Sequence, residues 1–327
     1  MFSPNCLPIL IGSLPLEDHA EAVDLIFEHT PEIPLWPQLP KHKKEGMVRQ
    51  FASGFPGLID RGSSCWIDRE KDSFISEMTS FYEHVIECQT LPVLPHDSIF
   101  ALGDDTARGF SVFKERLETT RRSPLTVKGQ VTGPVTAGIG IKDRQGVPLV
   151  YDDDLRDMLI KLLAGKARWQ IEQFRPFCTD VPPIIFIDEP GIVNFGSTAF
   201  AGVSRELVLD GVLELIGAIR DAGGLSGLHI CANGDWEPAL SSETDIISFD
   251  GYSYFDNFVL YQEQLVSYLK RGGILAWGIV PTSPPDTVTE ETIETLHGKW
   301  YGQLKTLCSY GFTEQQIVRQ TLIAPAC

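Results

Sequence analysis

The chain of 327 residues carries a formal net charge of −17 at pH 7, and 43% of its residues are hydrophobic. This composition supports a large core, and the acidity argues against nucleic acid and anionic membrane surfaces as partners. No apolar run reaches about 18 residues, so no membrane-spanning helix is expected. Seven scattered cysteines and the lack of a recognisable signal peptide predict a reduced, cytoplasmic protein without a disulfide framework.

The sequence predicts eight short strands that are apolar almost throughout, as is typical of parallel strands covered on both faces. They begin near residues 8, 33, 125, 184, 227, 245, 274 and 321. Helical patterns alternate with them, near residues 17–30, 153–173, 204–221, 255–270 and 289–310. This alternation predicts an α/β protein with a single (β/α)8 TIM barrel. A doubly wound open sheet is the alternative, but no glycine-rich dinucleotide loop follows the first strand.

The region at residues 41–124 departs from this regular alternation. It contains a basic turn at 41–44, a Gly/Pro-rich patch around 55–57, and helical patterns near 72–89 and 106–120. We therefore expect one catalytic domain over residues 1–327, with an insertion or elaborated segment between its second and third strands. This segment is expected to cover one end of the barrel.

Polar residues stand at the ends of several predicted strands. His229 and Cys231 alternate on one strand and would point to the same face, while Asp188, Asp250 and Cys327 follow three other strands. The carboxyl ends of barrel strands form the active site, so these side chains are expected to converge. Imidazole, carboxylate and thiolate groups together are a ligand set for zinc.

Each of these residues also has a purely structural interpretation. His229 and Cys231 could be core residues, because free cysteine is among the most buried residue types. Asp250 could belong to a turn, and Asp188-Glu189-Pro190 could cap a helix. Cys327 could be a frayed chain end.

Several short motifs occur in an order that resembles the C-terminal catalytic barrel of cobalamin-independent methionine synthase. They are Ile11-Gly12-Ser13, Thr132-Gly133-Pro134-Val135-Thr136, Ile187-Asp188-Glu189-Pro190, His229-x-Cys231, Asp245-Ile246-Ile247-Ser248-Phe249-Asp250 and Ala324-Pro325-Ala326-Cys327. The wider superfamily includes the methylcobamide:coenzyme M methyltransferases and uroporphyrinogen decarboxylase. The resemblance covers most of the chain outside about residues 40–120.

The resemblance implies a metal site. His229, Cys231 and Cys327 match zinc ligands of the family, and Asp250 stands where the synthase has a zinc-binding glutamate. The implied cofactor is Zn²⁺, which would hold the acceptor sulfur as a thiolate.

The resemblance also implies an acceptor site. Ile11-Gly12-Ser13 and Asp188 match positions that hold the amino-acid part of homocysteine, and Asp188 would pair with its α-ammonium group during catalysis. A further glutamate that binds homocysteine in the family has two candidates in this chain, Glu70 and Glu77.

Two departures from the family bear on the methyl donor. The full-length synthase has a second, N-terminal barrel that helps to hold folate, for which this chain has no room. The loop at residues 280–284 also lacks the histidine that the family assigns to acid catalysis on folate, and a tertiary amine leaving group needs a positioned acid. Methylcobalamin or another methylcorrinoid, carried by a corrinoid protein, is therefore the expected donor.

Three other functions stay open. The acceptor could be another thiol, as in the coenzyme M enzymes, although a sulfonate thiol would favour a basic residue where Asp188 stands. Uroporphyrinogen decarboxylation needs cationic groups, and no arginine follows a predicted strand. A non-catalytic barrel would hold zinc only as a structural ion or not at all, whereas catalytic zinc keeps an exchangeable position.

Overall fold

The computed structural model describes residues 2–62, 64–95, 97–194 and 204–326. Its strands are β1 (Leu7–Pro8), β2 (Leu58–Arg61), β3 (Ser64–Ile67), β4 (Lys128–Thr132), β5 (Ile184–Asp188), β6 (Leu225–Ile230), β7 (Ile246–Phe249), β8 (Ile274–Val280) and β9 (Thr321–Pro325). Seven of them form a curled, wholly parallel sheet in the order β1-β9-β8-β7-β6-β5-β4. The other two, β2 and β3, form a separate antiparallel hairpin.

Residues 32–38 run between the two edge strands of this sheet. The backbone N–H of Lys128 on β4 donates to the Pro34 carbonyl at 2.9 Å, and that of Gln38 donates to the Gly12 carbonyl at 2.9 Å. The strand expected near residue 33 is therefore represented by isolated parallel bridges. Two prolines in this stretch lack the backbone donor that a continuous ladder needs.

Helices surround the sheet. They are α1 (His19–His29), α2 (Phe74–Thr90), α3 (Asp104–Thr119), α4 (Pro134–Gly140), α5 (Asp153–Phe174), α6 (Arg205–Asp221), α7 (Glu237–Ser241), α8 (Gly251–Phe258), α9 (Gln262–Lys270), α10 (Pro285–Glu290), α11 (Ile293–Ser309) and α12 (Glu314–Arg319). The helix predicted near residues 204–221 is α6, and the Ser204 hydroxyl caps it by accepting a hydrogen bond from the Leu207 N–H at 3.2 Å. Within the described ranges, no helix combines the length and apolar character needed to cross a membrane.

Two predicted helices are each divided in the structure. The pattern at 289–310 is interrupted because Thr292 caps a new helix, α11, with its hydroxyl accepting from the Thr295 N–H at 3.2 Å. The pattern at 255–270 corresponds to α8 and α9. The first of these begins at Gly251 because Asp250 accepts from the Ser253 N–H at 2.8 Å.

The inner face of the curled sheet is mostly apolar. Its cluster consists of Ile9, Ile33, Ile184, Phe186, Ile246, Ile274, Ala276, Leu322 and Ala324. Polar residues enter this face along β4, because Lys128 and Gln130 are the register partners of Ile184 and Phe186 and therefore share their face. Thr132, the next residue of this row, is the register partner of Asp188.

The segment predicted as elaborated, residues 41–124, contributes both to the surrounding helices and to the covering of one end of the sheet. Its helices α3 and α2 pack against α1 and α5. Its first part crosses the carboxyl end of the sheet, where the Thr132 hydroxyl donates to the Met47 carbonyl at 2.5 Å. The hairpin is tied to the chain beyond β4, since the Arg144 N–H donates to the Ile67 carbonyl at 2.9 Å.

Candidate functional site

The carboxyl ends of β5 and β6 bring three predicted site residues together. Asp188 ends β5 and is the register partner of His229 on β6. These two side chains are 5% and 3% exposed, and Cys231, two residues further along the chain, is half-buried. Both His229 and Cys231 lie close enough to Asp188 to influence its carboxyl group electrostatically.

The carboxyl group of Asp188 has an unsatisfied oxygen. Its Oδ1 atom is buried and has no hydrogen-bond partner in the described part of the chain. Burial raises the pKa of this carboxyl group, His229 and Lys128 lower it, and Cys231 raises it further. A buried oxygen without a donor is costly, so Oδ1 is suited to accept a hydrogen bond from a bound ligand.

The adjacent Glu189 has a different role. Its carboxylate accepts hydrogen bonds from the N–H groups of Val135 at 2.9 Å and Thr136 at 2.8 Å, and from the Thr136 hydroxyl. Burial raises the pKa of Glu189 to about 7, against the lowering effect of these donors. Both donor residues lie in the first turn of α4, so Glu189 caps the amino end of this helix. The structural interpretation of Asp188-Glu189-Pro190 as a helix cap therefore holds for Glu189.

His229 is oriented by the neighbouring strand. Its Nδ1 atom lies 3.0 Å from the hydroxyl oxygen of Ser248, which is its register partner on β7. When Nδ1 carries the ring proton, it donates a hydrogen bond to the Ser248 hydroxyl oxygen. Nε2 then has the lone pair that binds a metal. An imidazole held in this way, followed by the thiol of Cys231, fits two positions of a zinc site.

Of the other two predicted zinc ligands, Asp250 lies in the described part of the chain and Cys327 does not. Asp250 is buried after β7, and its Oδ1 atom is engaged in capping α8. Across residues 2–62, 64–95, 97–194 and 204–326, no three His, Cys, Asp or Glu side chains are grouped closely enough to hold a metal. The described chain thus supplies an imidazole and a thiol that fit zinc, and not a complete ligand set.

The segment Ile11-Gly12-Ser13 lies beyond β1, against β4 and residues 32–38. The ammonium group of Lys128 donates to the Ile11 carbonyl. Gly12 has a φ of +151°, and a Cβ atom there would lie 3.1 Å from Gln38 Oε1 and 3.3 Å from Gln130 Cδ. Only glycine combines this backbone conformation with this close approach.

The candidates for the further glutamate both lie in the elaborated segment, and both already have protein partners. Glu77 accepts hydrogen bonds from the Gly57 N–H at 2.8 Å and the Ser73 hydroxyl at 2.7 Å. Its hydrogen bond from Lys71 is the main reason that its pKa is lowered to about 2. Glu70 is exposed and lies 3.2 Å from a guanidinium nitrogen of Arg144. These contacts organise the local structure.

Two pairs of polar residues, one beside the site and one elsewhere in the fold, were not predicted from the sequence. Lys128 and Gln130 point into the sheet interior, and burial lowers the pKa of Lys128 to about 8, with Asp188 acting in the opposite direction. Their signal was available, since a lysine and a glutamine stand at alternating positions of a predicted strand. The second pair is His19 and Glu45, whose Nε2 and Oε1 atoms lie 2.8 Å apart, and no periodic pattern indicated it.

Comparison with protein-family models gives no match, and no curated protein sequence matches the chain.

Proposed function

We propose that this chain is a closed (β/α)8 barrel that catalyses zinc-dependent transfer of a methyl group to a thiol, with homocysteine as acceptor and a methylcorrinoid as donor. Support for closure comes from the parallel order of the curled sheet and from residues 32–38. The backbone of this segment forms hydrogen bonds with Gly12 on one side and Lys128 on the other. It would then serve as the second of eight strands.

The observation that carries the proposal is the arrangement of Asp188, His229 and Cys231. A carboxylate with an unsatisfied oxygen stands beside an imidazole that is oriented by Ser248, and a thiol follows the imidazole. The first group is suited to an ammonium and the other two are suited to zinc. An amino-acid thiol is the acceptor that would use all three.

His229 and Cys231 would hold the metal, together with Cys327 and Asp250 as the resemblance implies. Bound zinc would supply a Lewis-acid centre at which a thiol loses its proton near neutral pH. Asp188 would accept a charge-assisted hydrogen bond from the α-ammonium of the acceptor, and the Ile11-Gly12-Ser13 segment would lie against its amino-acid part. These contacts would align the sulfur for attack on the methyl carbon.

The proposed donor follows from what lies beyond β8. Residues 281–284 read Pro-Thr-Ser-Pro and include no histidine that could act as an acid. A methylcorrinoid needs none, because its cobalt–carbon bond breaks with the electron pair left on cobalt while the sulfur–carbon bond forms. Methyltetrahydrofolate would leave as an amine anion unless it were protonated.

The test is a comparison of thiols with methylcobalamin as donor, following its demethylation by absorbance. We expect turnover with homocysteine, and much slower turnover with coenzyme M and with 2-mercaptoethanol. Faster turnover with coenzyme M than with homocysteine would contradict homocysteine as the acceptor and assign a sulfonate thiol in its place. Zinc-loaded protein that demethylates the donor with none of these thiols would contradict the proposal and favour a non-catalytic zinc barrel.

A further inference from the structure

The inward-facing row of β4 is polar at two levels where the neighbouring strand β5 is apolar. Lys128, Gln130 and Thr132 are all fully buried, although their neighbours on β5 at the first two levels are Ile184 and Phe186. Moving an ammonium group from water into a protein interior carries a large desolvation penalty. A charge in this place therefore needs compensating contacts, and those contacts indicate what it positions.

Lys128 connects the end of β1 with the end of β5. Its ammonium group donates to the Ile11 carbonyl and lies 3.3 Å from Gln130 Oε1 and 4.4 Å from the centre of the Phe186 ring. Phe186 precedes Asp188 by two residues and shares its face of β5. The ammonium group and the Asp188 carboxyl group also interact electrostatically, with opposite charges.

Gln130 strengthens the same connection. Its amide nitrogen donates to the Trp36 carbonyl at 3.0 Å, which fixes the side chain against residues 32–38. Its Cδ atom lies so close to Gly12 that a Cβ atom added at residue 12 would be 3.3 Å from it. The Ile11 carbonyl thus accepts a hydrogen bond from a side chain of β4, and the backbone of Gly12 packs closely against another side chain of the same strand.

We propose that Lys128 is a positioning residue that fixes the Ile11-Gly12-Ser13 segment relative to Asp188, and thereby favours acceptor thiols that carry an α-amino acid group. The positioning rests on the observed contacts alone, and the acceptor preference rests on the proposed function. Lys128 touches neither the acceptor nor the methyl group in this assignment. It acts through the Ile11 carbonyl and through its charge beneath Asp188.

The positioning is tested by amide hydrogen exchange in Lys128→Met. We expect exchange of residues 10–14 to rise at least fivefold, while exchange in β6, β7 and β8 stays within twofold of the wild type. Lys166→Met is the matched control, because Lys166 is also a fully buried lysine but lies on α5. It should leave residues 10–14 unchanged. Unchanged exchange at 10–14 in Lys128→Met, or an equal rise throughout the sheet, would overturn the assignment.

The acceptor preference is tested by kinetics with the same variant. Lys128→Met should raise KM for homocysteine at least tenfold and KM for 2-mercaptoethanol less than twofold, whereas a general structural defect would affect both thiols alike. If the wild type transfers no methyl group to any thiol, the proposed function fails, and the exchange experiment still decides the positioning role. If Lys128→Met does not fold, Lys128→Leu, which also lacks both the charge and the donor, is judged by the same exchange criteria.

Discussion

Asp188 and His229 are register partners on adjacent parallel strands and stand side by side at the carboxyl end of the sheet. This relationship follows from the alternation of side chains along β5, where Ile184 and Phe186 face the apolar interior and Asp188 continues the same row. A register slip of one residue would turn the carboxylate to the opposite face. The apolar pattern that builds the core therefore also places the acid beside the imidazole.

Replacing Asp188 with Asn should impair acceptor binding and leave the metal in place. The change removes a charge-assisted hydrogen bond worth about 1.5–3 kcal/mol, so KM for homocysteine should rise roughly 10- to 150-fold. Steady-state kinetics and zinc analysis of the same preparation provide the measurement.

Asp245→Asn is the matched control for this change. Asp245 precedes β7 at the amino end of the sheet, where its carboxylate accepts from the N–H and hydroxyl of Ser226, each at 2.9 Å. Its replacement should lower the stability without changing KM. Loss of zinc in Asp188→Asn, or equal KM values in the variant and the wild type, would contradict the role of Asp188.

Cys231→Ala should remove most of the zinc from the purified protein. A tetrahedral site that loses a thiolate loses both a negative charge and its geometry. Cys327→Ser tests the ligand that lies beyond the described residues, and it should also lower the zinc content. Cys308→Ala on α11 is the control and should keep about one zinc per chain, as in the wild type. Full zinc content in Cys231→Ala would disprove the ligand assignment.

The sequence indicated the positions of most strands and the order of the site residues because both depend on local signals. The apolar run that ends at Asp188 and the cap at Ser204 are visible without tertiary contacts. The division at Thr292 was not visible, because threonine can continue a helix as well as cap one. The prolines that break the ladder at residues 32–38 are visible in the sequence, but the two-sided bridging of this segment depends on distant strands.

Within the site, the roles of individual side chains depend on hydrogen-bond partners that are distant in the chain, and the sequence alone does not reveal these partners. Asp188 and Glu189 are adjacent carboxylates, and the approach of Val135 and Thr136 to Glu189 distinguishes the helix cap from the unsatisfied acid. Lys128 was overlooked because lysine is almost never fully buried. Its contact with the Ile11 carbonyl joins segments more than a hundred residues apart, which no spacing rule could indicate.

Lys166 should make the stability depend on pH. Its Nζ atom is buried without a hydrogen-bond partner in the described ranges, and burial lowers its pKa to about 7. Between pH 7 and the ordinary lysine pKa, the unfolded chain binds more protons than the native one, so the stability rises with pH across this window. Lys166→Met should gain on the order of 3 kcal/mol at pH 7, and this gain should shrink towards pH 10.

Urea unfolding of Lys166→Met at several pH values checks this prediction. Lys161→Met is the control, because Lys161 lies on the same helix but is partly exposed and paired with Asp157. That variant should show no gain at pH 7. A gain for Lys166→Met that is equal at pH 7 and pH 10 would contradict the explanation based on a buried charge.

Gly133→Ala should destabilise the carboxyl end of the sheet. An added Cβ atom would lie 2.2 Å from Glu189 Oε2, and the carboxylate cannot retreat because hydrogen bonds hold it to the first turn of α4. We expect a loss of about 2–4 kcal/mol in unfolding free energy. Gly217→Ala on α6, where an added Cβ atom meets no atom of the described residues within 4 Å, should gain about 0.5–1 kcal/mol in unfolding free energy. Equal stability of the two variants would show that the cap is dispensable.

The most direct test of the central claim is to incubate zinc-loaded protein with homocysteine and methylcobalamin carrying a ¹³C-labelled methyl group, and to follow the label by NMR. The proposed function predicts that the label appears in methionine, that cobalamin is demethylated in equal amount, and that Cys231→Ala abolishes both. It also predicts no labelled methionine from ¹³C-methyltetrahydrofolate. Absence of labelled methionine from methylcobalamin, or equal production by the wild type and Cys231→Ala, would contradict the proposal that this site activates a thiol for methyl transfer.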